Sequence, residues 1–204
     1  MIIHYQMKDI LYRIVALFLL ILVSPLLLVF YILVKATTKG PFIYRQRRLG
    51  RDKKPFIMYK IRTMVENAES LKSKVKGLNE ADGPAFKIRN DPRYTKVGKF
   101  VSHTGLDELP QLVNIIKGEM SFVGPRPLPK EEASKVPKKY ERRFSILPCI
   151  TSPWVVQGSH KLTFREWMEL DLEYVKKKSL WYDFEIAAKT VFLILKSIAM
   201  SFRT

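Results

Sequence analysis

Between Ile14 and Val34 no residue carries a charge and all but a few are apolar. A run of about 20 such residues can cross a hydrocarbon core as one straight helix. Ser24-Pro25 falls near its middle, where a proline removes a backbone donor and crowds the preceding turn. The pattern predicts a helix that kinks or breaks at Ser24-Pro25, with Ser24 placed to hydrogen-bond the carbonyl that Pro25 leaves without a donor. Lys8 and Arg13 precede the run, and Lys35 and Lys39 follow it. Spanning helices usually show an asymmetric distribution of basic residues, so positive charge at both ends fits better with both ends facing the cytoplasm. An ordinary spanning helix with a mild kink is the alternative. A cleaved signal peptide fits poorly, because the run is too long and no small-x-small site follows it closely.

The chain beyond the run divides naturally at Gly40-Pro41, giving a membrane anchor over 1–39 and a cytoplasmic domain over 40–204. With 204 residues in all, there is room for one domain with a real core. The formal net charge is +17 and the pI near 9.9, yet 47% of residues are hydrophobic, which excludes a disordered chain. So basic a balance favours anionic partners: nucleic acid, anionic head groups or phosphorylated substrates. Cys149 is the sole cysteine, which excludes an intrachain disulfide and a cysteine metal cluster. His4, His103 and His160 show no metal-ligand spacing.

Phe42–Gly50 reads as a short strand and a basic turn, and Phe56–Met64 as a second strand with Lys60 and Arg62 on one face. Glu66–Val75 is compatible with a short helix, within a polar stretch to Lys99 of the kind that often forms substrate lids. Asp91-Pro92-Arg93 reads as a structural turn. Lys130–Arg143 is expected to be helical, Ile146–Ser159 a loop feeding a strand, and Leu162–Val175 a helix opened by a Thr163–Glu166 capping box. The last helix starts near Leu180. Lys189, Lys196 and Arg203 recur along one of its faces among apolar residues, as in a helix lying in a membrane interface; a core helix of a soluble domain is the alternative.

The most informative stretch is Thr104–Pro127. Asp107 and Glu108 stand where a helix should begin, with Leu109, Leu112, Val113 and Ile116 at helical spacing and Gly118 as a C-cap. Met120–Val123 reads as a strand ending in Pro125-Arg126-Pro127, whose prolines fix φ on either side of a guanidinium. Taken alone, an acidic pair at a helix start is an ordinary cap. The ordered string Leu106-Asp107-Glu108-Leu109-Pro110-Gln111-Leu112, Lys117-Gly118 and Val123-Gly124-Pro125-Arg126-Pro127, however, closely resembles the bacterial sugar transferases that start glycan assembly on a polyprenol phosphate, the monotopic phosphoglycosyl transferases.

That resemblance implies an α/β, mostly helical enzyme with a re-entrant helix-break-helix anchor at Ser24 and Pro25, a small catalytic domain with short strands, and interfacial amphipathic helices. It implies transfer of a sugar-1-phosphate from a UDP-sugar to a polyprenol phosphate such as undecaprenyl phosphate, with release of UMP and with Mg²⁺ as cofactor. Asp107 would be the nucleophile, forming an aspartyl-phosphosugar, and Glu108 would hold the metal, with Asp183 at the metal or supporting the site. Arg126, between Pro125 and Pro127, would contact the nucleotide; Arg62 and, less so, Lys60 would contact phosphate. The implied setting is the cytoplasmic face of the bacterial inner membrane, among inner-leaflet lipids and without nucleic acid as a partner. A homodimer is left open, and the sugar and the pathway are not specified.

Two departures from the family pattern stand out. Family members carry basic residues shortly before the acidic pair, where this chain has Ser102 and His103, and an arginine where it has Ser159 followed by His160 and Lys161. His103, His160 and Lys161 are therefore candidate replacements at the substrate phosphate, the alternative being a degenerate, inactive relative. The rival from another class is a non-catalytic, membrane-anchored basic module that binds anionic lipid or nucleic acid, which the charge alone would support.

Overall fold

The computed structural model describes residues 2–158 and 162–201, with side chains from Met7 onward. Ser159, His160 and Lys161, and with them two of the three expected replacements, lie outside the described residues, as does Arg203.

Helix α1 (Ile2–Thr37) runs unbroken through Pro25. The expected break does not interrupt it. Proline at position 25 leaves the carbonyl of Ile21 without its intrahelical donor, and the Ser24 hydroxyl donates to that carbonyl at 2.8 Å. The local repair explains how a proline is carried inside one helix. The helix is long and apolar enough to cross a membrane from Met7 to Thr37, but one stripe of it is covered by the rest of the chain. Tyr12, Ala16, Leu19 and Val23 pack on Met58, Leu112, Ile115 and Met120, while Leu27, Phe30 and Val34 pack on Ile61 and Val101. These positions advance by three or four residues, the period of a single helical face. The opposite face, with Ile14, Phe18, Ile21, Leu22 and Ile32, is exposed.

Strands β1 (Ile43–Leu49) and β2 (Pro55–Ile61) form an antiparallel pair in which Tyr44 faces Lys60, Gln46 faces Met58 and Arg48 faces Phe56. Directly opposed residues share a face, so Arg48, Met58 and Lys60 point the same way. The stretch 66–75 forms successive turns rather than the expected helix. Helix α2 (Lys96–His103) starts at Thr95, whose side chain accepts from the Gly98 amide. It lies so close to the end of β2 that a Cβ on Gly98 would stand 1.8 Å from the carbonyl oxygen of Thr63.

The expected central helix is split. Leu106–Gln111 is a 3₁₀ segment entered through Gly105 at φ +75°, and α-helical geometry begins only at α3 (Leu112–Ile116). Pro110 lacks the amide that a regular helix would use. Buried Asn114 ties α3 to the hairpin: its Nδ2 donates to the carbonyl of Ile57 at 2.6 Å and its Oδ1 accepts from the Tyr59 amide at 3.2 Å. Strand β3 (Ser121–Val123) pairs in parallel with β4 (Cys149–Thr151). The segment expected as one helix over Lys130–Arg143 is α4 (Lys130–Ala133) followed by a 3₁₀ run over Lys138–Ser145, because Pro137 stands between them. After β4, the Ser152 side chain accepts from the Val155 amide and caps the short α5 (Pro153–Val156). The Thr163–Glu166 capping box forms as the sequence predicts and opens α6 (Phe164–Lys177). Helix α7 (Leu180–Ser201) buries Ile186 against Val123 and Tyr174, and leaves Trp181, Phe184, Val191, Phe192 and Leu195 exposed.

Candidate active site

The 3₁₀ segment carries Asp107 and Glu108 in under β2, and Lys60 meets both. Its Nζ lies 2.7 Å from Glu108 Oε1 and 3.5 Å from Asp107 Oδ2. Arg126 reaches Glu108 Oε1 from the other side at 3.6 Å. Burial pushes the Asp107 carboxyl up to about 6, with Lys60 pulling it down and the adjacent Glu108 pushing it further up. Burial acts on Glu108 in the same sense, but the closer Lys60 ammonium and the Arg126 guanidinium hold it below the ordinary carboxylate range. The two neighbours are thus driven apart. Glu108 keeps its charge, while Asp107 is the less stabilised anion and so the more reactive oxygen.

Arg126 is fixed through its backbone. Its carbonyl accepts from Arg143 Nη2 at 2.9 Å, and the same nitrogen lies 2.7 Å from Asp171 Oδ2, both side chains being fully buried. The flanking carbonyls are also used: Pro125 accepts from the Cys149 amide at 3.1 Å, and Pro127 from Arg48 Nη1 at 3.4 Å. The turn that carries the Arg126 side chain is thus held at three successive carbonyls. Gln111, four residues after Asp107, lines the cleft with Glu108, Arg126 and Pro127, and its Nε2 has no hydrogen-bond partner among the described residues. A buried amide donor beside this acidic pair is suited to a phosphoryl oxygen.

Other expected residues are placed elsewhere. Arg62 folds back on the exit of α1, its Nε donating to the carbonyl of Pro41 at 2.8 Å and its guanidinium lying against Gly40. The order of the two cations is thus reversed: Lys60 of β2 is at the acidic pair, and Arg62, just past the end of β2, lies at the exit of α1. His103 is exposed, with Nε2 2.8 Å from the carbonyl of Arg89 and its ring edge-on to Tyr94. Ser102 shares a 3.0 Å hydrogen bond with the Tyr94 hydroxyl.

Asp183, expected at the metal or in support of the site, is placed away from the acidic pair. One carboxylate oxygen accepts from Tyr174 at 2.6 Å, and the other from Tyr12 at 2.5 Å while pairing with Lys8 at 2.6 Å. Both oxygens are occupied in joining α1, α6 and α7, and neither shares a partner with Glu108. Among the described residues no group of three His, Cys, Asp or Glu side chains could hold a metal ion. The donor set present, one acidic pair, suits Mg²⁺ only in the usual manner of that ion, which takes one or two carboxylates together with substrate phosphates.

Pattern reading did not single out Gln111, Arg48, Lys87 or Trp154, which the fold brings near Arg126. Arg48 shares the face of Lys60, and burial and the nearby Arg126 lower it to about 10. Lys87 and Trp154 lie beside Arg126, with the Lys87 ammonium 5.0 Å and the Arg126 guanidinium 5.8 Å from the centre of the Trp154 ring. The alternation of β1 could have flagged Arg48 once β2 was paired with it. Nothing local in the sequence singles out Lys87.

Residues 3–197 match the family described as Bacterial sugar transferase. Among curated proteins, the chain is 41% identical over 157 residues to a galactosyl transferase, CpsE, of Streptococcus agalactiae, covering 76% of this chain and 35% of that protein. It is 39% identical over 185 residues to an undecaprenyl-phosphate galactose phosphotransferase of Salmonella typhimurium, covering 87% and 38%. It is 37% identical over 189 residues to a UDP-glucose:undecaprenyl-phosphate glucose-1-phosphate transferase of Escherichia coli, covering 88% and 38%. The chain thus spans little more than a third of the length of these relatives.

Proposed function

The chain belongs to the bacterial sugar transferase family, and from that membership we propose that it moves a sugar-1-phosphate from a UDP-sugar to a polyprenol phosphate, undecaprenyl phosphate in the first instance. The observation that carries this reading is the acidic pair of buried Asp107 and half-buried Glu108, with Lys60 against both and Arg126 against Glu108. A charge-only binder of lipid or nucleic acid has no use for buried carboxylates, since it works through exposed cations.

In the proposed mechanism a carboxylate oxygen of Asp107 attacks the phosphorus that bears the sugar. The bond from that phosphorus to the bridging oxygen breaks, its electron pair leaves with UMP, and an aspartyl-phosphosugar remains. A phosphate oxygen of the polyprenol phosphate then attacks the same phosphorus and frees Asp107, leaving a polyprenyl diphosphate sugar. Lys60 neutralises the acidic pair before substrate enters, and Arg126 and the Gln111 amide are within the cleft to meet phosphate oxygens. Mg²⁺, held by Glu108 and the diphosphate, would screen the charge that gathers between donor and carboxylate.

The acceptor is lipid at one end, so the site must stand at head-group level. α1 touches both α3 and the 3₁₀ segment that carries the pair. Its two halves pack on the same body, from Tyr12 to Val34. A helix held by one domain along its length cannot place that domain on one side of a bilayer and its own far end on the other. That favours an α1 which dips into one leaflet, with its exposed face and the apolar residues of α7 toward lipid, on the cytoplasmic side where nucleotide sugars are found.

The test is UMP release from a panel of UDP-sugars by the full chain with Mg²⁺ and undecaprenyl phosphate, beside Asp107→Asn. Release by the wild type, and a loss of at least about a hundredfold in the variant, is expected for a removed nucleophile. Equal rates for the two proteins would remove Asp107 from that role, and silence across the panel would return the basic-module reading.

A further inference from the structure

The hairpin face that meets the acidic pair carries more cations than the pair uses. Tyr44 stands directly opposite Lys60, and Arg48 opposite Phe56, on that face. The ladder runs one step further, because the Arg62 amide donates to the carbonyl of Phe42 at 2.8 Å. Arg62 is therefore two residues beyond Lys60 on the same side, about 7 Å along the strand direction. Lys60 lies in the middle of a row. Arg48 ends the row beside Arg126, and Arg62 ends it at the exit of α1.

At that exit two cations converge on Gly40. Lys35 Nζ lies 3.5 Å from the Gly40 carbonyl, and the Arg62 guanidinium lies where a Cβ on Gly40 would collide with it. A lysine at the end of a membrane helix marks head-group level and no more. Its meeting with an arginine two residues from Lys60 is a different matter. Among the described residues neither Lys35 nor Arg62 pairs with a carboxylate, and the Tyr44 hydroxyl makes no hydrogen bond although Arg62 is within electrostatic reach. Glu69, the acid that acts on Tyr44, pairs with Lys72 at 3.8 Å. Leu28, Tyr31 and Lys35 follow one another along one side of α1. Leu28 and Tyr31 are exposed, and the Tyr31 ring meets Phe42 edge-on at 5.5 Å. An apolar strip of the helix thus leads to a group of cations, and the cations lead to Lys60.

We propose that Arg62, with Lys35 and the Tyr44 hydroxyl, binds the phosphate of the lipid acceptor, whose chain lies on Leu28 and Tyr31. A phosphate monoester on a long apolar chain fits the place on both counts. The anion needs donors at head-group level, and the chain needs an apolar strip running from them into the leaflet. A water-soluble anion would leave the strip unused. The row on the hairpin gives the phosphate a short way to the acidic pair, which a bulk phospholipid has no call for. Arg126 stands at the Arg48 end, so donor and acceptor reach Asp107 from opposite ends of the row. The inference rests on the transferase reading for what becomes of the lipid, while the phosphate site is a statement about these side chains.

The experiment measures equilibrium binding of farnesyl phosphate and of farnesol to the full chain in neutral detergent micelles, by calorimetry and without any UDP-sugar. Wild type should prefer the phosphate by about tenfold or more, roughly the worth of a charge-assisted hydrogen bond. In Arg62→Gln that preference should shrink by about tenfold with farnesol affinity unchanged, and Tyr44→Phe should lower it by about threefold. An undiminished preference in Arg62→Gln, or none in the wild type, overturns the site. So does phosphatidylglycerol that displaces farnesyl phosphate at equal mole fraction, since the cations would then serve any anionic head group. Melting curves show whether Arg62→Gln keeps its fold. If it does not, Tyr44→Phe, which removes one hydroxyl, decides the matter through the same preference. Turnover measured beside the binding separates the two readings. Arg62→Gln should raise the KM for undecaprenyl phosphate about tenfold and leave that for UDP-sugar unchanged. Turnover with Arg62-independent lipid binding sinks only the acceptor site, and Arg62-dependent binding without turnover from any UDP-sugar sinks only the transferase.

Discussion

Burial brings the Asp107 carboxyl up to about 6, with Lys60 pulling it down and the adjacent Glu108 pushing it further up. A carboxyl whose pKa is raised is neutral below that value and charged above it. If Asp107 is the nucleophile, UMP release should therefore rise by about tenfold between about pH 5 and 7 and level off above. A rate that is flat over that range would show that the charge on Asp107 does not limit the reaction. At this scale the acidic pair was legible as an adjacency in an ordered motif. The preference for Arg62 over Lys60 was not, because both lie two residues apart on one strand face and only the turn at Gly40-Pro41 draws Arg62 away. Lys87 and Trp154 are 67 positions apart and meet through a loop closed by Asn79, a contact without local signature.

Elements with self-contained signals formed as the sequence predicts. The Thr163–Glu166 box opens α6, and the alternating stretches before and after Gly50 pair as a hairpin. Elements whose extent depends on a proline were misjudged: Pro110 turns the start of the central helix into a 3₁₀ segment, and Pro137 divides the run after Lys130. The 3₁₀ geometry matters to the proposed function, since it is the segment that carries Asp107 and Glu108 toward Lys60. Its position depends in turn on how closely α2 docks on the end of β2, and that closeness is enforced at Gly98. Gly98→Ala would drive a methyl group into the carbonyl of Thr63, and backbone cannot yield as a flexible side chain does. A loss of about 1–3 kcal/mol is expected from such overpacking, read as a lowered melting temperature in detergent together with weakened UMP release. An alanine variant that melts like the wild type would mean that α2 can shift away at little cost, and that the acidic segment does not depend on it.

For the molecule as a whole, the apolar run announced a membrane segment in the sequence, and that part was legible from composition alone. What composition could not supply was the partner of that segment. The parallel pairing of β3 with β4, and the junction of α1, α6 and α7 at Asp183, join residues far apart in the chain. The resemblance alone put Asp183 at the metal or in support of the site. In the fold it is the knot of three helices, and Tyr174 carries that knot to the carbonyl of Val123, three residues before Arg126. Loss of the carboxylate in Asp183→Ala should therefore reduce thermal stability and, through β3, raise the KM for donor more than it lowers kcat. An unchanged KM in a folded variant would confine Asp183 to holding helices together.

The stripe from Tyr12 to Val34 has a practical corollary for anyone wishing to work with this protein in water. Removing the greasy leader is the ordinary recipe for turning a membrane enzyme into a soluble one, and here it would fail. Met58, Ile61, Val101, Leu112, Ile115 and Met120 are buried in clusters completed by residues of that helix. A version beginning after Thr37 would come off the ribosome with its own interior laid open, and would precipitate or need detergent as much as the intact chain does.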